Sequence, residues 1–89
     1  MTKVIIKKLS REEIAQRKMN TWPIWEKEIS RFDWKYEGDE ECLILEGQVK
    51  IETPEGTFFI SEGDFVTFKD GLKCTWDIIK PIKKHYNFP

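Results

Sequence analysis

The sequence has little histidine, little cysteine and no long apolar run. Its one histidine, His85, excludes sites built on two or more histidine ligands. The two cysteines, Cys42 and Cys74, form no Cys-x-x-Cys pair, which argues against a zinc ribbon or a thioredoxin-type site. No apolar stretch approaches the roughly 20 residues of a membrane span, and the first residues do not resemble a signal peptide. We therefore expect a cytoplasmic protein with reduced thiols and no membrane partner.

The charges give no sign of a nucleic-acid partner. Lys and Arg together number 15 and Asp and Glu 16, so the formal net charge is −1. A balanced surface lacks the basic footprint that binds phosphate backbones. Aromatic residues make up 13% of the 89 positions, with four Trp and six Phe, which indicates a packed core rather than a disordered chain. The length predicts one domain over residues 1–89.

The first 19 residues differ in pattern from the rest. Residues 3–7 predict a short strand. Ser10 and Glu13 have the spacing of a capping box, so we predict a short helix over 11–19. The remainder, about 20–89, is expected to form the barrel, with the N-terminal strand and helix occupying about 3–19.

Downstream of the helix the pattern is one of short strands. Residues 31–37 alternate aromatic and charged side chains, which is typical of a half-buried strand. Further strands are predicted at 42–45, 48–52, 57–60, 65–68, 73–78 and 82–88. Short strands divided by glycine turns predict an all-β fold, an antiparallel sandwich or small barrel. Trp22 and Trp25, on either side of a proline, are expected to cover an edge or to line a homodimer interface.

Four residues carry a resemblance to a known family. Glu40 lies seven positions before Gly47, and Gly63 and Gly71 are spaced as in the second cupin motif. The sequence resembles a small single-domain cupin, similar to the cupin domain of (S)-ureidoglycine aminohydrolase and to ethanolamine-utilisation cupins. The resemblance implies a jelly-roll-like antiparallel β-barrel.

The same resemblance bears on metal binding. Cupins of the common type hold a metal ion through three histidines and the motif glutamate. Here the alignment places Trp34, Tyr36 and Cys74 at the histidine positions and retains only Glu40. A set with so few good ligands predicts no metal cofactor. A metal-dependent, aminohydrolase-like enzyme is the alternative that the resemblance leaves open.

The resemblance and the strand parity together place a group of side chains at the barrel mouth. Our candidates are Glu40 as a general acid or base and Cys74 as a nucleophile. The candidate ligand-binding residues are Trp34, Tyr36, Trp76 and Lys84. An aromatic pocket with one carboxylate suits a small polar or cationic molecule. The alternatives are a metal-independent enzyme, a non-catalytic sensor or binding module, and aromatics that only fill the core.

Three further residues are given roles by their context. Cys42 lies beside a Leu-Ile-Leu run and is expected to be inert core. Lys84 could pair with Glu40, but we favour an extension of its ammonium to solvent. His85 falls on the opposite strand face and is expected at the surface. A carboxylate inside a barrel is costly unless it is paired or protonated, which is why Glu40 is a candidate functional residue.

Overall fold

The computed structural model describes residues 3–89 as one antiparallel sheet with a short helical segment near its start. The strands are β1 (Val4–Lys8), β2 (Ile24–Lys27), β3 (Arg31–Lys35), β4 (Glu40–Thr53), β5 (Gly56–Ser61), β6 (Asp64–Phe68) and β7 (Lys73–Asn87). The helix α1 spans Arg11–Gln16, and a 3₁₀ turn spans Met19–Thr21. No helix in this part of the chain is long and apolar enough to cross a membrane.

The two long strands, β4 and β7, pair with each other and organise the whole sheet. On one side of their midpoints lie β1, β6 and β2, and on the other side lie β5 and β3. We call these half-sheet I and half-sheet II. The halves fold onto each other, since Tyr36 beside β3 stacks on Phe68 of β6 with ring centroids 4.7 Å apart. The result is the all-β, jelly-roll-like barrel that the sequence predicted.

The fold between the two halves is sharpest at Gly47. Its φ is +102°, a left-handed conformation that side chains disfavour. A Cβ at this position would meet the Pro81 carbonyl oxygen and would lie 2.8 Å from the Cα of Ile82. The pairing of β4 with β7 changes register on both sides of this point. Glycine is therefore required where the two long strands bend together.

This bend corrects the predicted strand boundaries. The sequence predicted separate strands at 42–45 and 48–52, and again at 73–78 and 82–88. The structure joins each pair into one bent strand, β4 and β7. Gly47 and Pro81 interrupt the hydrophobic pattern, but the backbone pairing resumes beyond each of them.

The N-terminal segment follows its capping signal closely. Glu13 N donates to Ser10 Oγ at 3.1 Å, and Ser10 N donates to Glu13 Oε1 at 3.2 Å, which completes the capping box. The helix ends at Gln16, earlier than predicted, because Lys18 adopts a left-handed φ of +54°. That turn brings Met19 into a buried cluster with Leu43 of β4 and Phe65 of β6.

One strand was missed by the sequence analysis. β2 follows Pro23 and pairs with β7, with Ile24 opposite His85 and Trp25 opposite Lys84. A four-residue strand with one half-buried side chain has too weak a period to detect. It matters for the site, because Trp25 packs edge-on against Trp76 with ring centroids 5.9 Å apart.

Candidate functional site

A cavity of about 290 Å³ opens between the two half-sheets. Its lining residues are Trp25, Phe32, Trp34, Tyr36, Glu40, Trp76, Lys84, Tyr86 and Phe88. Seven of the nine are aromatic, and the nine lie on or directly beside four strands, β2, β3, β4 and β7. The walls are therefore apolar, with one carboxylate and one ammonium among them, which is the composition of a small-molecule site.

The carboxylate and the ammonium form a buried ion pair. Lys84 Nζ donates to Glu40 Oε2 at 2.8 Å. Only 6% of Lys84 and 8% of Glu40 is exposed. Glu40 is inward, as predicted, but the expectation that Lys84 extends to solvent is wrong. The ion pair with Glu40 keeps the ammonium of Lys84 inside the barrel.

Strand pairing fixes the two members of this pair. Glu40 begins β4 and lies opposite Phe68 of β6, while Lys84 lies opposite Ile44 of β4. The turn before Glu40 is held by Asp39, whose carboxylate accepts from Asp70 N at 2.8 Å and from a lysine ammonium. The pair is thus held on two hydrogen-bonded strands rather than on loops.

A thiol completes the polar cluster. Cys42 Sγ donates to Glu40 Oε2 at 3.0 Å and accepts from Lys84 Nζ at 3.2 Å. Cys42 is fully buried in the core, as predicted, but its thiol also takes part in this polar cluster, which was not predicted. Cys42 and Glu40 share one face of β4 because they are two residues apart. That parity was the signal that could have linked them.

Two indole rings enclose the ammonium. Lys84 Nζ lies 5.0 Å from the ring centroid of Trp25 and 4.9 Å from that of Trp76. Ammonium groups over indole faces are attracted by the negative ring face, and the attraction is stronger where water is excluded. The rings therefore add to Glu40 in holding the charge of Lys84 inside the barrel.

The protonation states follow from these contacts. Burial lowers the pKa of Lys84, but its interactions with Cys42 and Glu40 outweigh burial and raise that pKa above its ordinary value. Burial raises the pKa of the Cys42 thiol well above its ordinary value. The cluster at neutral pH is accordingly an ammonium, a neutral thiol that can donate, and their shared carboxylate oxygen.

Tyr36 holds the opposite side of the cavity. Its backbone N donates to Leu72 O at 2.8 Å and its carbonyl accepts from Gly71 N at 2.9 Å, which extends the pairing of β3 with β7. Its hydroxyl oxygen accepts from Trp76 Nε1 at 3.2 Å. Burial, with Glu40 nearby, strongly raises the pKa of Tyr36, so the hydroxyl keeps its proton.

The other predicted site residues are less central. Trp34 lies at the rim of the cavity and is 52% exposed. Cys74 is buried in the core but lines a separate shallow groove instead of the cavity. The hydrogen bonds among residues 3–89 include none from Cys74 to Glu40 or Lys84. Burial raises the pKa of Cys74 to about 11.

The prediction for His85 is also wrong. The ring is buried, and Nδ1 lies 2.9 Å from the Trp22 carbonyl oxygen. The contact brings this face of β7 against the segment just before β2, 63 positions earlier in the chain. Within residues 3–89, no group of three or more His, Cys, Asp and Glu side chains is arranged to hold a metal ion.

Four lining residues were missed: Trp25, Phe32, Tyr86 and Phe88. For Tyr86 and Phe88 the signal was available, since they share the strand parity of Lys84. Phe32 likewise shares the parity of Trp34, and its ring stacks on Trp76 with centroids 6.0 Å apart. Trp25 was expected at an edge or a homodimer interface, because its strand was not recognised, whereas the structure places it in the cavity wall.

The bent antiparallel sheet and the cavity between its halves define the chain as a small cupin domain. A family model described as the EutQ-like cupin domain matches residues 14–86. That match covers most of the chain, and the chain therefore belongs to the EutQ-like cupin family. Among curated proteins, no significant match was found.

Solved structures agree with this assignment. A DUF861 family protein from Thermotoga maritima is 46% identical, with a TM-score of 0.94 over 97% of this chain and 99% of that one. EutQ from Clostridium difficile is 20% identical, with a TM-score of 0.68 over 97% and 68% of the respective chains.

A putative ethanolamine utilization protein Q from Salmonella typhimurium is 17% identical, with a TM-score of 0.66 over 93% and 66%. At such low identity the two EutQ structures show the fold alone. The predicted likeness to ethanolamine-utilisation cupins is confirmed, and the likeness to ureidoglycine aminohydrolase stays a prediction.

Proposed function

We propose that this EutQ-like cupin domain binds a small polar organic molecule in its aromatic cavity, without a metal ion. The observation that carries the proposal is the cavity of about 290 Å³ with aromatic walls and a buried Glu40–Lys84 pair. Core packing alone does not select a buried ion pair, since well-packed apolar side chains of similar volume are often as stable or more stable.

The metal-independent part of the proposal rests on the partner of Glu40. The resemblance makes this carboxylate the one metal ligand that remains. Its Oε2 atom is already engaged by the ammonium of Lys84 and by the Cys42 thiol. A divalent cation bound to this carboxylate would lie beside the buried ammonium of Lys84, and the two positive charges would repel each other. This disfavours the metal-dependent, aminohydrolase-like alternative.

Binding is favoured over nucleophilic catalysis. A cysteine nucleophile works as the thiolate, and burial raises the pKa of Cys74 to about 11. The Cys42 thiol is also neutral and is fully buried. Two neutral thiols and a carboxylate already paired with an ammonium suit recognition better than covalent chemistry. The domain is accordingly proposed as a sensor or binding module.

The test is a ligand screen followed through the tryptophan side chains. We expect small polar compounds to shift the indole N–H resonances of Trp25, Trp34 and Trp76, which lie at the cavity. Trp34→Ala removes a rim side chain and is expected to weaken binding while leaving the core intact. Phe59→Ala is the matched control, because Phe59 is an exposed aromatic outside the cavity lining.

Two results would contradict the proposal. One is a broad screen in which no compound shifts these resonances. The other is a stoichiometric divalent metal in protein purified without an affinity metal, together with loss of that metal in Glu40→Gln.

A further inference from the structure

The cavity shows which charge its occupant can carry. Resting on the proposed function, we infer that the ligand presents an uncharged group with an N–H donor beside a carbonyl acceptor, as in a primary amide. The inference depends on three observations: the charge balance of the lining, the use already made of the indole faces, and the polar atoms left without partners.

The lining is electrically balanced before any ligand enters. Glu40 and Lys84 are the two charged residues among the lining side chains, and they are paired with each other. A cationic ligand would bring a second positive charge beside Lys84, and an anionic ligand a second negative charge beside Glu40. Either ligand would leave one buried charge uncompensated, which is costly in a site with little water.

The usual alternative for a cation is an aromatic face. Here the faces of Trp25 and Trp76 already receive the Lys84 ammonium at 5.0 and 4.9 Å. The ring of Tyr36 is stacked on Phe68, and that of Phe32 on Trp76. Four of the seven aromatic walls therefore already have a face engaged within the protein, and this weighs against the cationic ligand considered from sequence.

What remains is one acceptor and two donors. Both polar contacts of Glu40 use Oε2, and no hydrogen bond among residues 3–89 uses Oε1. Within residues 3–89, Ser30 Oγ is the one fully buried side-chain polar atom without a hydrogen-bond partner. Oε1 of Glu40, which also has no partner, is therefore not fully buried. Oε1 therefore keeps access to the cavity that Glu40 lines.

The donors lie on Tyr36 and Lys84. The Tyr36 oxygen accepts from Trp76 Nε1, so its own proton is free to donate. Lys84 uses two of its three N–H groups on Glu40 and Cys42. An amide group satisfies both kinds of atom, because its N–H can donate to Glu40 Oε1 while its carbonyl accepts from Tyr36 or Lys84.

The experiment uses three probes of nearly the same shape. Benzoate, benzamide and benzamidine share one ring and one planar group and carry charges of −1, 0 and +1 at neutral pH. We expect the unmodified domain to bind benzamide about five- to tenfold more tightly than either charged probe, the loss of one hydrogen bond or more. Titration followed by the indole resonances gives the three affinities.

Variants of the pair should move the preference in opposite directions. Glu40→Gln leaves a positive cavity and should favour benzoate. Lys84→Met leaves a negative cavity and should favour benzamidine. Lys83→Met changes a neighbour on β7 that does not line the cavity, so it should keep the order of the unmodified domain. The double variant, Glu40→Gln with Lys84→Met, restores neutrality and should again rank benzamide first, even if a single variant fails to fold.

The outcomes separate this inference from the proposed function. If the unmodified domain prefers benzamidine or benzoate, the inference is overturned while small-molecule binding stands. The same conclusion holds if no probe binds but the screen yields charged ligands. If the screen yields no ligand at all, both proposals fall. Preference for benzamide with opposite shifts in the single variants supports both.

Discussion

Two charge clusters connect the same pair of strands, β4 and β7, on opposite sides of the bend. In half-sheet I, Glu40 and Lys84 pair inside the barrel. In half-sheet II, Arg31 binds Glu52 and Asp77 on the outer surface, where the Arg31 side chain is 56% exposed. Both clusters join neighbouring strands through opposite charges, but one lies in the interior and the other in water.

The difference in burial determines how much each cluster contributes to stability. An exposed ion pair contributes little, because water and salt screen it. A buried pair costs desolvation when it forms, yet removing one partner leaves an unpaired charge in the interior. The outer cluster therefore fits a solvated surface. The inner cluster restricts which substitutions the barrel tolerates and, under our proposal, which charge a ligand of the cavity can carry.

Breaking the inner pair should have the largest effect. Lys84→Met leaves Glu40 buried without its ammonium, and we expect a loss of about 3–5 kcal/mol in the free energy of unfolding. Chemical denaturation measures it. The double variant with Glu40→Gln removes both charges and should recover much of the loss. A Lys84→Met protein as stable as the unmodified domain would show that the pair is not buried in solution.

The bend that separates the clusters is the next most sensitive point. Gly47→Ala places a Cβ against the Pro81 carbonyl in a left-handed conformation. We expect a loss of about 2–4 kcal/mol from backbone strain and overpacking together. Gly38→Ala is the control, since Gly38 has a φ of +94° but open space around it. We expect Gly38→Ala to lose only the part of the free energy of unfolding that comes from backbone strain. Equal losses in the two variants would contradict the contact at Pro81.

High pH should lower the free energy of unfolding through the inner cluster, by less than either substitution does. The folded-state pKa of Cys42 is raised above the ordinary value of 9.0, so the unfolded chain releases this proton first. The free energy of unfolding is therefore constant below the ordinary pKa. It falls by about 1.4 kcal/mol per pH unit as the pH rises from that value toward the raised folded-state pKa. The raised pKa of Lys84 acts with the same sign above 10.5.

Denaturation at pH 8 and pH 10 checks this dependence. Cys42→Ser, whose hydroxyl does not titrate in this range, should lose less stability between the two pH values than the unmodified domain. An equal loss in both proteins would assign the alkaline sensitivity to other groups.

Breaking the outer cluster should have the smallest effect. Arg31→Ala removes an exposed side chain whose partners remain solvated. We expect a small fraction of the loss seen for Lys84→Met, and we expect it to shrink further at high salt. Denaturation at low and high salt measures it. A loss as large as that of Lys84→Met would show that exposure does not distinguish the clusters.

Much of the fold could be predicted from local patterns. The alternation at 31–37 and the capping box at Ser10 and Glu13 report chemistry within a few residues, and both correspond to observed elements. The inward orientation of Glu40, Tyr36 and Trp76 followed from strand parity and the cupin resemblance. Local periodicity is sufficient for such features, because a strand presents alternate side chains to one face.

The partnerships within the site could not be predicted in the same way. Cys42 and Lys84 are 42 positions apart, and the parity that places Cys42 beside Glu40 does not reveal that Lys84 joins them. Likewise, the His85 ring contacts Trp22, which is 63 positions away in the sequence. These contacts depend on which strands lie side by side.

The sequence by itself determined the all-β class, the cupin resemblance and the inward orientation of Glu40, Tyr36 and Trp76. The tertiary structure alone decided that Lys84 turns inward to Glu40, that Cys42 joins them and that Cys74 does not. The physical reason is the bend at Gly47 and Pro81, which brings the two half-sheets face to face. Residues that are far apart in the chain thereby come into contact. Periodicity reports which face a residue occupies, whereas the register of paired strands selects its neighbour on that face.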